Sequence, residues 1–110
     1  MTPEITDLQQ QLVNMPHDPG LHYELGRCYL AQKKLDLAQK SFSQALHLAP
    51  DHPQILMQLG NVASQQGDEL RAAEAFRKSL QQDAQQADVH FNLADSLAEL
   101  GQHAGAIKHY

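Results

Sequence analysis

The chain has no tryptophan, one cysteine, and only three phenylalanines and three tyrosines in 110 residues. A single cysteine excludes an internal disulfide framework. Cations are scarce as well: eight Lys and Arg against thirteen Asp and Glu give a formal charge of −5. A nucleic-acid binder ordinarily carries a basic face, and since none is visible no nucleic-acid partner is expected. No apolar run approaches the roughly 18 residues of a membrane span. The opening MTPEITDLQQ lacks the basic start and apolar core of a signal peptide. No membrane contact is expected, and the chain reads as cytoplasmic. No nucleophile–base pair, glycine-rich phosphate loop or paired carboxylates can be found, so neither catalysis nor a cofactor is expected. The seven histidines (17, 22, 47, 52, 90, 103 and 109) form no i, i+4 pair and have no cysteine cluster beside them, so no metal site is expected. What is plentiful is Gln, Ala and Leu, residues that favour helix.

These residues recur at a fixed interval. Leu25-Gly26 returns as Leu59-Gly60 and Leu93-Ala94, Ala38 as Ala72 and Ala106, and Phe42 as Phe76 and Tyr110, each series spaced by 34 residues. A constant period in this range marks a stacked-repeat architecture, in which each unit buries its apolar face against its neighbours. The first helix is predicted over 3–14: Thr2 caps it, Pro3 suits its first turn, and Ile5, Leu8 and Leu12 share one face. Leu8, Leu12 and Pro16 keep the register of Phe42, Leu46 and Pro50. Residues 3–16 therefore read as a half-repeat capping the stack, followed by repeats at 19–52, 53–86 and 87–110.

In the first repeat, helices are predicted over 19–32, capped by Asp18, and 36–48, separated by Lys33-Lys34 in a solvated turn. Leu21, Leu25, Cys28 and Tyr29, then Leu37, Ala38, Phe42, Ala45 and Leu46, are expected to face inward. Asp51-His52-Pro53 repeats the Asp18-Pro19 capping pattern. The second repeat buries Leu56, Leu59, Gly60, Val62 and Ala63, and turns at Gly67, which suits a left-handed C-cap. It then buries Leu70, Ala72, Ala73, Phe76 and Leu80 over 69–82. Ala84 replaces Pro50, which leaves this exit less sharply specified. The third repeat places Val89, Leu93, Ala94, Leu97 and Leu100 inward and turns at Gly101. A second helix then begins near His103 with Ala106, Ile107 and Tyr110. That gives about seven helices, the last truncated, and leads to the expectation that the chain is a piece of a longer protein. Leu97, Leu100, Ile107 and Tyr110, left uncovered, would favour a homo-oligomer. Gly26, Gly60 and Ala94 are expected to let the paired helices approach, opposite Ala38, Ala72 and Ala106, while Phe42, Phe76 and Tyr110 fill the space between repeats.

The pattern resembles the tetratricopeptide repeat, W-x2-L-G-x2-Y followed by A-x3-F and P. His22-x2-Leu25-Gly26-x2-Tyr29, Ala38-x3-Phe42 and Pro50 match it in the first repeat. Leu56-x2-Leu59-Gly60-x2-Ala63 with Ala72-x3-Phe76, and His90-x2-Leu93-Ala94-x2-Leu97 with Ala106-x3-Tyr110, follow. The usual Trp is His22, Leu56 and His90, which places both histidines at interfaces rather than at a metal. The resemblance implies an all-α, right-handed superhelical stack of antiparallel helix pairs whose first helices line a concave groove. It further implies a non-catalytic protein–protein interaction scaffold that binds a peptide or partner segment there.

The positions two before and two after each repeated Leu supply Tyr23, Met57 and Phe91 as an apolar stripe. They also supply Arg27, Asn61 and Asp95 as a row grading from positive to negative. Glu24, Gln58 and Asn92 lie beside them, and Gly20, Gln54 and Asp88 stand at the helix starts. Modules of this family that clamp a C-terminal carboxylate use Lys, Asn and Arg in the groove. Here only Arg27 is cationic and Asp88 would repel a carboxylate. Asn92-Leu93-Ala94 is similar to the amide-bearing repeats that precede glycosyltransferase domains. Two alternatives follow: the N-terminal repeat region that targets or dimerises a larger enzyme such as a transferase, and a self-assembly module.

Overall fold

A computed structural model describes the backbone of residues 3–109 and the side chains of residues 4–101. The capping role of Thr2 and the contacts of Ala106, Ile107 and Tyr110 lie outside the described residues. Among the described residues six helices follow one another: α1 (Pro3–Asn14), α2 (Pro19–Ala31), α3 (Leu35–Leu48), α4 (Pro53–Gln65), α5 (Glu69–Gln82) and α6 (Ala87–His109). Among the described residues there is no strand. The helices pair in sequence, α2 with α3 and α4 with α5, into an elongated stack of 55 × 29 × 20 Å.

Local chemistry explains most boundaries. Asp18 Oδ1 accepts from Gly20 N at 2.9 Å and Leu21 N at 3.4 Å, so α2 starts with a capping side chain and Pro19 in its first turn. Asp68 caps α5 in the same way through Arg71 N at 3.2 Å. The junction into α4 differs from the sequence expectation. Asp51 stands in the left-handed region at φ 62°, and His52 takes the cap position without a side-chain hydrogen bond. Within the repeats, Lys33 (φ 60°) and Gly67 (φ 82°) occupy equivalent turn positions, both left-handed. Glycine takes that conformation freely, whereas lysine does so under steric strain.

Both hairpins close on an aromatic ring. A Cβ on Gly26 would stand 2.7 Å from Phe42 Cδ1, and one on Gly60 would meet the Phe76 ring closer still. The glycines therefore make room first of all for the phenylalanine of their own repeat, where the alanines were expected opposite them. Ala38 and Ala72 are nonetheless fully buried beside these rings. Phe42 also packs in one cluster with Ile5, Leu25, Tyr29, Ile55 and Val62, which joins α1 and the first two repeats. Phe76 centres a second cluster with Ala63, Ala72 and Val89.

The third repeat does not form the expected hairpin: α6 runs through Gly101 as one helix, so the described residues hold six helices, close to the seven or so expected. Residue 94 supplies a reason. Ala94 already carries the methyl that Gly26 and Gly60 lack, so there is no recess for a ring. Ala94 and Leu97, expected inward, are consequently exposed. Leu37 and Leu70 are also corrections, at 44% and 57% exposure. Each sits in the first turn of its helix and flanks the line that packs, Ala38–Phe42–Ala45 or Ala72–Phe76–Ser79.

Polar side chains replace two missing signature residues. Where Ala84 stands for Pro50, Gln86 Nε2 donates to Ser79 O at 3.1 Å and Asp83 O at 2.8 Å, and buried Ser79 Oγ donates to Pro53 O at 2.7 Å. These bonds fix the exit of α5. Where histidine replaces Trp, His22 Nε2 lies 2.9 Å from Pro16 O and His90 Nε2 lies 2.8 Å from Ala84 O. A carbonyl can only accept, so Nε2 carries the proton in both, and each ring ties its helix to the preceding turn.

Candidate peptide groove

The first helices of the repeats, α2, α4 and α6, bring their i and i+4 positions onto one side of the stack. A chain of hydrogen bonds crosses them. Asn92 Nδ2 donates to Asn61 Oδ1 at 3.1 Å, Asn61 Nδ2 to Gln58 Oε1 at 3.3 Å, and Gln58 Nε2 to the Tyr23 hydroxyl at 3.4 Å. Donation runs one way, from α6 through α4 to α2, so each bond polarises the next. At its end the Tyr23 hydroxyl accepts from Gln58 and keeps its own hydrogen for a further acceptor. Four of the eight residues picked out from sequence are thus brought together.

The other four behave differently. Phe91 is 67% exposed and stands free on α6, whereas Tyr23 and Met57 are half-buried. The Tyr23 ring packs against Phe42 with centroids 5.7 Å apart and a tilt of 55°, and Met57 packs against the Phe76 cluster. The apolar stripe is therefore two half-sunk side chains and one exposed ring. Arg27 reaches Glu24 at 3.5 Å, an exposed pair in high dielectric that contributes little to stability. Asp95 is exposed and, with Asn61, Asn92, Ser64, Gln65 and Phe76, lines a recess of about 130 Å³ between α4 and α6. Ser64 and Gln65 escape sequence reasoning because they lie one turn beyond the repeated Leu-Gly pair. The Tyr23–Gln58 bond escapes it because the partners are offset by one residue from the 34-residue period.

Among the described residues no group of three or more His, Cys, Asp or Glu is placed to hold a metal. Among them, no helix is long and apolar enough to cross a membrane. Cys28 is half-buried with Sγ 3.8 Å from Glu4 Oε2. Burial, and then the Glu4 carboxylate, push its pKa above the ordinary thiol value, the reverse of what an activated thiol needs.

The fold has close counterparts. The first TPR of Spaghetti (RPAP3), solved bound to the HSP90 peptide SRMEEVD, superposes with a TM-score of 0.86 at 15% identity over 88% of this chain and 77% of that one. MamA gives 0.84 at 19% identity over 94% of this chain and 61% of that one. A thermophilic TPR protein of Thermus thermophilus gives 0.76 at 26% identity over 86% and 48%. The chain is thus an all-α tetratricopeptide-repeat solenoid, an architecture whose members are generally non-catalytic protein-interaction scaffolds. In sequence it is 31% identical over 77 residues to the protein O-mannosyl-transferase TMTC3 of Homo sapiens, and 32% over 69 residues to that of Mus musculus. These matches cover 70% and 63% of this chain but only 8% of each relative's length. The profile of the cytochrome c-type biogenesis protein H TPR domain matches residues 5–110, and the chain belongs to that family.

Proposed function

We propose that this chain is a non-catalytic interaction module that binds an extended polypeptide segment along α2, α4 and α6, with a partner drawn from cytochrome c-type biogenesis. The observation that carries the reading is the Asn92–Asn61–Gln58–Tyr23 chain. It lays amide and hydroxyl groups across three successive repeats, where they can exchange hydrogen bonds with a peptide backbone. Phe91 supplies an exposed apolar contact at one side. The partner segment is neutral or weakly basic in this reading. Arg27 is already matched by Glu24, and Asp88 and Asp95 are exposed nearby. An acidic terminus of the SRMEEVD kind therefore meets no free cation among the described groove residues.

Peptides selected on this chain from a random display library, then titrated by calorimetry, test the proposal. Asn61→Ala and Asn92→Ala should each weaken binding by roughly tenfold, the scale of one or two lost hydrogen bonds. Tyr23→Phe removes the hydroxyl while keeping the ring on Phe42, which Tyr23→Ala would not. Unchanged affinity in all three variants moves the binding site off this face.

The match to two O-mannosyl-transferases favours a second reading, in which the module serves as the repeat region of a larger enzyme and positions its partner. Fusing the chain to a reporter enzyme and finding no partner-dependent recruitment would count against it.

A further inference from the structure

At the start of the groove, between the first turns of α2 and α4, lies a recess of about 160 Å³ with mainly apolar walls, from Pro19, Tyr23, Ala49 and Ile55. Gly20, His52 and Gln54, all exposed, complete its lining. Its origin is a difference between repeats. The position held by Gly20 carries Gln54 in the second repeat and Asp88 in the third. Ala49 and His52 correspond to Asp83 and Gln86, and the Gln86 amide lies across the end of α5. Two of these three positions are therefore small and apolar at the first junction, whereas all three carry polar side chains at the next. Tyr23 belongs to both features: its ring walls the recess and its hydroxyl ends the hydrogen-bond chain.

An apolar cavity of about 150 Å³ is large enough to take a benzene-sized guest. We infer that this recess is an anchor pocket that takes one aliphatic side chain of leucine or methionine size from the bound segment. The inference rests on the groove reading for its biological use. In it, the hydrogen-bond chain holds the backbone without regard to sequence, and the pocket selects which residue sits at the α2 end. The exposed His52 and Gln54 side chains leave its edge polar, so the residue's own backbone stays hydrated there.

The test uses single-residue probes, so it does not depend on the rest of the groove. Isotope-labelled chain is titrated with N-acetyl-leucine amide, N-acetyl-methionine amide and N-acetyl-alanine amide and followed by amide chemical shifts. The leucine and methionine probes should move Gly20, Gln54 and Ile55, with affinity roughly tenfold or more above the alanine probe, as expected for lost methylenes in a hydrophobic pocket. Gly20→Gln, which installs the second repeat's residue, should weaken the response; its Cβ stands 3.2 Å from Asp18 Oδ1 and so also crowds the cap of α2. Ala49→Leu plugs the cavity from the opposite wall and should do the same without touching the first turn of α2. Equal response to all three probes, shifts scattered over the surface, or binding retained in both plugged variants overturns the pocket. Loss of peptide affinity in Asn61→Ala reports on the groove separately, so either idea can fail while the other stands.

Discussion

Gly26 and Gly60 each hold an aromatic ring against bare backbone, and that contact limits what either position tolerates. An added methyl forces Phe42 or Phe76 to shift inside a packed core, a change that ordinarily costs about 1–3 kcal/mol. Against this runs the better helix propensity of alanine, about 1 kcal/mol. Gly60→Ala should therefore destabilise the chain by up to about 2 kcal/mol in a denaturant melt. An unchanged or raised midpoint would mean that the ring has somewhere to go. His52 presents the opposite case. It sits at the cap of α4 with extended backbone (φ −67°, ψ 120°) and no side-chain bond, where Asp18 caps α2 with two. His52→Asp should stabilise by about 0.5–2 kcal/mol, a rise in melting temperature that buffer scans at neutral pH would detect.

The helices themselves differ in how firmly their ends are specified. α2 and α5 have a capping aspartate, and α5 closes through Gln86 and Ser79 in place of a proline. α6 passes through Gly101, where an added Cβ would meet nothing within 4 Å. In a straight helix Gly101→Ala gains about 0.5–1 kcal/mol and raises helical content. Were residue 101 left-handed, as Lys33 and Gly67 are, the same substitution would be destabilising. The sign of the change, read by circular dichroism and thermal melt together, thus reports on the path of the chain at this residue. Periodicity supplied the existence of α1 to α5 and nearly all of their boundaries, because apolar spacing, proline and aspartate act within a few residues of where they stand. It missed the straight course of α6, because a hairpin turn depends on what the returning helix finds to pack against. Ala94 removes that support without disturbing the period.

The whole molecule is a stack in which one hydrogen-bond chain spans three repeats, with the Arg27–Glu24 pair and exposed Asp95 beside it. Because Arg27 is matched by Glu24 and the groove carries exposed Asp88 and Asp95, electrostatics should contribute little to binding a neutral segment. Affinity for a selected peptide should then change less than about threefold between about 50 and 500 mM salt. SRMEEVD should show no saturation below about 1 mM. Micromolar binding of that peptide would mean that the groove recognises carboxylates after all.

The candidate site was half legible in the sequence. Tyr23, Gln58, Asn61 and Asn92 could be placed on one side from helical spacing alone. That they form a single chain, that Tyr23 and Met57 sink into the core while Phe91 stays out, and that Arg27 pairs with Glu24 were not legible. Those outcomes depend on the small offsets between neighbouring helices and on which side chain arrives first at a shared space. By itself the sequence determined the repeat, its 34-residue register, the helices α1 to α5 and the family, since each follows from local spacing and residue type. Only the tertiary structure decided where the glycine recess is filled by a ring and where the stack opens into a pocket beside Gly20. It also set the helix that runs straight where a turn was due. Packing across helices is a competition among non-local neighbours, and no single stretch of chain contains its result.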